Sequence, residues 1–202
     1  MLIEHEGVGP RVAESAYVAP NAVLCGDVRV AEDARILFGA VLTAEGGGIE
    51  VGARSIVMEN ALVRGRGGHP ARLGAHVLVG PHAHVNGATI EDEVFLATGV
   101  SVFPGASVGR GSEVRVGAVV HVNSTLAPRT TVPIGWVAAG DPAELFSPDR
   151  HEELWAVQEP MDFPGTVFGM SREEATMERV ARRYSESFGR HRGDRVLRTL
   201  EP

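Results

Sequence analysis

The chain has 202 residues, 44% hydrophobic and 22% charged, enough for one domain with a core and an appendage. Its formal net charge of -7 excludes the clustered-cation chemistry of a nucleic-acid binder. All 19 basic residues are arginine, which excludes Schiff-base and phosphate-loop lysines, and the single cysteine, Cys25, excludes an internal disulfide. With no signal-like or long apolar run, the expected setting is reduced and cytoplasmic, away from membranes.

Residues 1–9 are expected to form an N-terminal cap. From residue 10 to 141 a period of six takes over. Large aliphatics fall at Val12, Val18, Leu24, Val30, Ile36 and Leu42, then at Val51, Val57 and Val63, then at Leu73, Val79 and Val85. After a slip of one to Ile90 they continue through Leu96, Val102, Val108, Val114 and Val120. Four residues after most of them stands a small or β-branched residue, such as Ala22, Ala40, Ser55, Ala61, Ala83 or Ser112. Neither a helix nor a simply alternating strand has this period. A short strand and a tight turn, three to a coil, does: the large side chain fills a triangular interior and the small one fits under the corner. The expected fold is therefore all-β, a parallel β-helix of hexapeptide repeats.

Two stretches break the period, AEGGGIE (44–50) and RGRGGHPAR (64–72), and loops leaving a rigid β-helix are where function collects. Past the period, residues 142–170 read as an irregular linker and residues 171–202 as a helix with an arginine-rich tail. Ser171 and Glu174 make a capping box, Gly189 a stop, and Met177, Val180, Ala181, Tyr184 and Phe188 one apolar stripe suited to a flank of the β-helix or to a neighbouring subunit. Residues 171–202 hold 8 arginines against 6 acids, residues 1–170 hold 11 against 20, so the end is basic and the body acidic. Trp136 and Trp155 flank the end of the repeat and are expected to anchor the C-terminal segment.

The stretches LFGAVLTAE (37–45), IEVG (49–52), VLVGPHAHVNGATIEDEV (77–94) and GDPAELF (140–146) resemble the γ-class carbonic anhydrases over roughly residues 10–146. The resemblance implies a left-handed winding and a homotrimer with zinc at each subunit interface, held by three histidines. The positions that correspond to those ligands hold Arg64, Pro81 and Asn86, the last beside Gly87. The family's bracing arginine and aspartate correspond to Thr43 and Glu45, and its glutamine beside the metal to Met58, with an acid retained at Glu59. Arginine and proline offer no lone pair to zinc and asparagine is a poor ligand, so neither zinc nor any other cofactor is expected in that position.

The cleft candidates are therefore Arg64, Asn86, Glu45, Glu59, Thr43, His82 and His84. Arg64 either pairs with Glu45 or Glu59 or holds a small anion or carboxylate, for which a planar guanidinium is suited. His82 and His84, with His69, are the set from which a relocated metal site would be built, against the plainer reading of solvated or interface histidines. His121, in the column of Arg64, and Cys25, with no neighbouring base visible in the sequence, read as structural. Three functions remain: a zinc-free trimeric scaffold or anion-binding module, an acyltransferase using coenzyme A, and a carbonic anhydrase with relocated ligands.

Overall fold

A computed structural model describes residues 1–198, and the end of the expected arginine-rich tail lies outside them. Strands of two to five residues wind into a three-sided parallel β-helix. Its first face stacks Leu2–Glu4, Val23–Cys25, Val41–Glu45, Leu62–Arg66, His84–Asn86, Ser101–Val102, Val119–Val120 and Val137–Gly140, all parallel. The other two faces each carry seven strands, beginning at Arg11–Val12 and Tyr17–Val18. The coil thus begins inside the expected N-terminal cap, since Leu2–Glu4 already pairs with Val23–Cys25.

The interior is the hexad pattern made solid. Leu24, Ile36, Leu42, Val57, Val63, Val85, Leu96, Val108 and Val120 stack out of solvent, while Val12 and Val18 in the first coil are partly covered. Under the corners lie Ala22, Ala34, Ala40, Ala61, Ala83 and Ala118. The serines in this series are buried but satisfied. Ser55 Oγ donates to Gly74 O at 2.7 Å and accepts from Val77 N at 2.9 Å, so a hydroxyl in the core ties one coil to the next.

The corners explain the GPHAHVNG stretch. A Cβ at Gly80 would stand 2.7 Å from Ala97 C, so two coils meet there too closely for any side chain. His82 takes the left-handed corner conformation at φ 57°, one that aspartate, asparagine and histidine tolerate better than most residues. Ala83 tucks beneath the corner, His84 and Asn86 point outward, and Val85 between them points into the core.

Both breaks in the period are tight turns rather than protruding loops. Val41–Glu45 and Leu62–Arg66 run on for five residues and pair along their whole length, and Arg66 bridges both Gly46 and His69. A Cβ at Gly65 would lie 2.1 Å from Gly47 O, so glycine is required where the strand passes the turn.

Beyond the repeat the structure departs from the expected linker. Ala143–Phe146 turns back antiparallel onto Val137–Gly140, and helices α1 (His151–Gln158) and α2 (Phe163–Phe168) follow. The sequence hides α2 because Pro164 and Gly165 look like breakers, yet Pro164 stands in the first turn and the Asp162 side chain caps the helix by accepting from Gly165 N. The Ser171–Glu174 box forms its reciprocal bonds, but it closes a turn; helix α3 (Met177–Phe188) starts later, capped by Thr176. Gly189 is right-handed, so it does not stop the chain as a left-handed glycine would, and a 3₁₀ turn over Gly189–Gly193 continues to Arg195–Arg198, which pairs antiparallel with Leu2–Glu4.

Of the expected stripe, Val180 is buried and Tyr184 half-buried, while Met177 is 66% exposed. Trp136 packs on the core, but Trp155 is half-exposed under the Arg172 guanidinium. The anchoring falls instead to a run of aromatic contacts: Phe103 and His121 on the first face touch Phe163, then Phe168, Tyr184 and Phe188 follow in turn, with ring centroids 5.4–6.4 Å apart.

The interior columns carry the stability. Leu42→Ala is expected to lower the unfolding free energy in urea by about 2–5 kcal/mol, whereas Thr131→Ala on an outward, exposed position stays within about 0.5 kcal/mol.

Candidate functional site

Strand alternation decides which side chains meet. On the first face the residue after each buried aliphatic points outward, and parallel register stacks these residues in one column: Cys25, Thr43, Arg64, Asn86, and further on Phe103 and His121. The C-terminal segment lies over this column. Between them is a cleft of about 320 Å³ whose walls include Glu45, Arg64, Arg66, His69, Arg183, Tyr184 and Phe188.

The cleft is cationic in an acidic protein. The Arg66 guanidinium is tied to Val167 O, Arg183 donates to Gly169 O at 3.0 Å, and neither meets a carboxylate in these bonds. Arg64 lies 5.7 Å from the centre of the Phe188 ring, and its Nε is buried without a hydrogen-bond partner. The expected pairing of Arg64 with Glu45 or Glu59 is not formed among the described residues. Glu45, 11% exposed, instead accepts from His191 Nε2 at 3.1 Å through one oxygen, and its other oxygen is buried and unpartnered.

Thr43 and Asn86 flank Arg64 in register, and Thr43 Oγ1 and Asn86 Oδ1 are both buried without partners. His84 stands two residues before Asn86 on the same strand, half-buried, its Nε2 unpartnered. Burial, and then the nearby Arg64 charge, hold its imidazole below the ordinary histidine value. Burial likewise depresses His121. His82 is exposed at its corner, and His69, His82 and His84 form no metal-holding group among the described residues. Glu59 sits in the turn after Ile56–Val57, where its carbonyl accepts from His82 N, and it takes no part in the cleft wall.

Cys25, which the sequence left without neighbours, has three. His5, His191 and Asp194 surround it, brought there by the pairing of the C-terminal strand with the first coil. Burial, then the Asp194 carboxylate, push the thiol up to about 12. Burial opposes protonation of His191, but its hydrogen bond to Asp194 and the charge of Glu45 outweigh that and raise its pKa. The sequence carried no signal for this group, because His5 and Cys25 lie more than 160 residues from His191 and Asp194.

No family model matches the chain. The γ carbonic anhydrase 1, mitochondrial, of Arabidopsis thaliana is 32% identical over 151 residues, which make up 72% of this chain and 53% of that protein. A hexapeptide transferase family protein from Anaplasma phagocytophilum superposes with a TM-score of 0.51 at 27% identity, over 80% of this chain and 92% of that one. The chain belongs to the γ-carbonic-anhydrase-like hexapeptide-repeat proteins. A Bacillus cereus protein described as a putative acetyltransferase shares the fold with a TM-score of 0.53 at 21% identity, covering 78% and 90% of the two chains. The chain spans about half the length of the Arabidopsis relative it matches.

Within this γ-carbonic-anhydrase-like chain, the residues expected at the family's ligand positions divide between two surfaces. Arg64 and Asn86 are neighbours in the outward column, whereas Pro81 lines an open, apolar groove with Met58, Leu78, Phe95, Val116 and Ile134. No helix among the described residues is long and apolar enough to cross a membrane.

Because the Arg64 charge helps depress His84, Arg64→Met is expected to move the His84 imidazole titration, followed by NMR, upward. The folded state holds the His84 proton less tightly than the unfolded chain, whose value is near 6.5. This histidine therefore contributes stability that is present above 6.5 and lost as pH falls through its lowered folded value, and the variant loses less on acidification.

Proposed function

We propose that this protein is a γ-carbonic-anhydrase-like homotrimer without zinc at the family's interface position, and that it binds a small carboxylate or bicarbonate-like anion against Arg64. The observation that carries the reading is the Arg64 guanidinium: it lies in a cleft, one buried donor without a partner, among Arg66, Arg183 and His69, with the single wall carboxylate, Glu45, engaged by His191. A buried donor left unsatisfied costs about 1–3 kcal/mol, and an anion with two acceptor oxygens removes that cost in a geometry suited to the guanidinium fork.

The residues at the family's ligand positions do not fit zinc. Arg64 stays protonated, Pro81 has no side-chain donor atom, and Asn86 offers one amide oxygen where imidazole is needed. Carbonic anhydrase chemistry at that position is therefore not part of the proposal, and the chain's own groups act by binding and orienting: Arg64 holds the anion, Phe188 and Tyr184 shield it, and Asn86 and Thr43 offer polar atoms beneath. The apolar groove at Met58, Pro81, Phe95 and Ile134, with Ile134 67% exposed, is the surface proposed for subunit contact in the trimer. The likeness to a hexapeptide transferase family protein keeps one second reading, an acyltransferase that binds coenzyme A.

A thermal-shift screen separates the two. Acetate, bicarbonate and succinate are expected to raise the melting midpoint of the wild type and not of Arg64→Met, with coenzyme A inert; a rise with coenzyme A alone transfers the case to the acyltransferase. Light scattering at micromolar concentration is expected to give three times the chain mass, and a monomer contradicts the trimer.

A further inference from the structure

Outside the cleft, the structure assembles a second constellation that the proposed function does not use. His5, Cys25, His191 and Asp194 each offer one ligand atom, and these atoms all lie within 4.8 Å of one another. We propose that they form a metal clip, a site for Zn²⁺ or a similar borderline-soft divalent ion that fastens the C-terminal segment to the first coil.

The donor chemistry selects the class of ion. One thiolate, two imidazoles and one carboxylate make four donors of the types that bind zinc, enough for tetrahedral coordination, whereas magnesium and calcium demand oxygen. His5 Nδ1 and His191 Nδ1 both face Asp194, at 2.6 Å from Oδ1 and 2.7 Å from Oδ2, and Cys25 Sγ is 3.6 Å from the same carboxylate. Zinc with ligands at roughly 2.0–2.3 Å needs donors roughly 3.3–3.7 Å apart, so a small outward turn of the two rings opens room for the ion.

His5 Nε2, 3.8 Å from Glu6, makes no hydrogen bond, but His191 keeps its second nitrogen on a further carboxylate, with Nε2 3.1 Å from Glu45. Orienting the far nitrogen in this way is the usual support of a metal-bound histidine. His5 and Cys25 are 4% and 3% exposed, and His5 Nε2 has no hydrogen-bond partner. A buried thiol beside the Asp194 carboxylate lacks a favourable charged state until a cation arrives, and a bound dication supplies that charge by displacing the thiol proton to solvent.

The ligands join the two ends of the chain. His5 follows the first strand, Cys25 ends the second strand of the first face, and His191 and Asp194 precede the strand Arg195–Arg198 that pairs with the first. Since His191 also holds Glu45, the clip seats the segment that roofs the Arg64 cleft.

The test uses the tag-free full chain, stripped with a chelator and titrated with Co²⁺. The expected result is saturable 1:1 binding with the visible bands of tetrahedral cobalt and a near-ultraviolet thiolate-to-cobalt band, which in a chain with one cysteine can come only from Cys25. Cys25→Ser is expected to abolish that band, Asp194→Asn to weaken binding at least tenfold, and Zn²⁺ to raise the wild-type melting midpoint. The wild-type spectrum is diagnostic even if a variant fails to fold. No saturable binding, or a wild-type spectrum without the thiolate band, overturns the proposal; the anion screen with Arg64→Met reads the cleft separately.

Discussion

Everything in this molecule depends on the registration of one coil upon the next. A hexad must send one large aliphatic and one small residue inward, because a triangular interior has room for nothing else. That rule spends two positions in six on the core and holds the rest at fixed outward places. Residues far apart in sequence then fall into straight columns: Cys25, Thr43, Arg64 and Asn86 are neighbours because each follows a buried aliphatic on the same face. The site is a by-product of the stacking rule, and its precision comes from a backbone too well bonded to move.

This arrangement makes a charge substitution tolerable. A guanidinium placed on a mobile loop would find water or a carboxylate. Fixed on the outward column, with Glu45 taken by His191 and a phenyl ring over it, Arg64 keeps a buried donor unpaired. The neighbouring arginines are satisfied by backbone carbonyls, which neutralise no charge, so the positive potential of the cleft survives in a chain of net charge -7.

The coil could be read from the sequence because its rule is local: the period of six places Leu42 and Val63 in the core and Thr43 and Arg64 outside without any knowledge of distant contacts. The C-terminal half resisted the same reading. Pro164 and Gly165 suppress the helical pattern of α2, although a proline in a first turn and an aspartate cap suffice to start it. Ser171 and Glu174 satisfy the capping pattern yet close only a turn, since Thr176 caps the helix that follows. The grouping of Cys25 with His5, His191 and Asp194 was illegible for a different reason, because it requires the last strand to pair with the first. The pairing of Arg64 with Glu45 failed because a histidine from that same distant segment reached the carboxylate instead.

The account turns on the state of one side chain, and its Nε–H can be observed directly. In a ¹⁵N-resolved spectrum of the arginine Nε–H groups, with Arg64 identified by its loss in Arg64→Met, titration with acetate is expected to shift the Arg64 resonance along a saturable curve while those of Arg110 and Arg150, already bonded to carboxylates, stay in place. An Arg64 resonance that does not respond, or that already carries the mark of an internal ion pair, contradicts it.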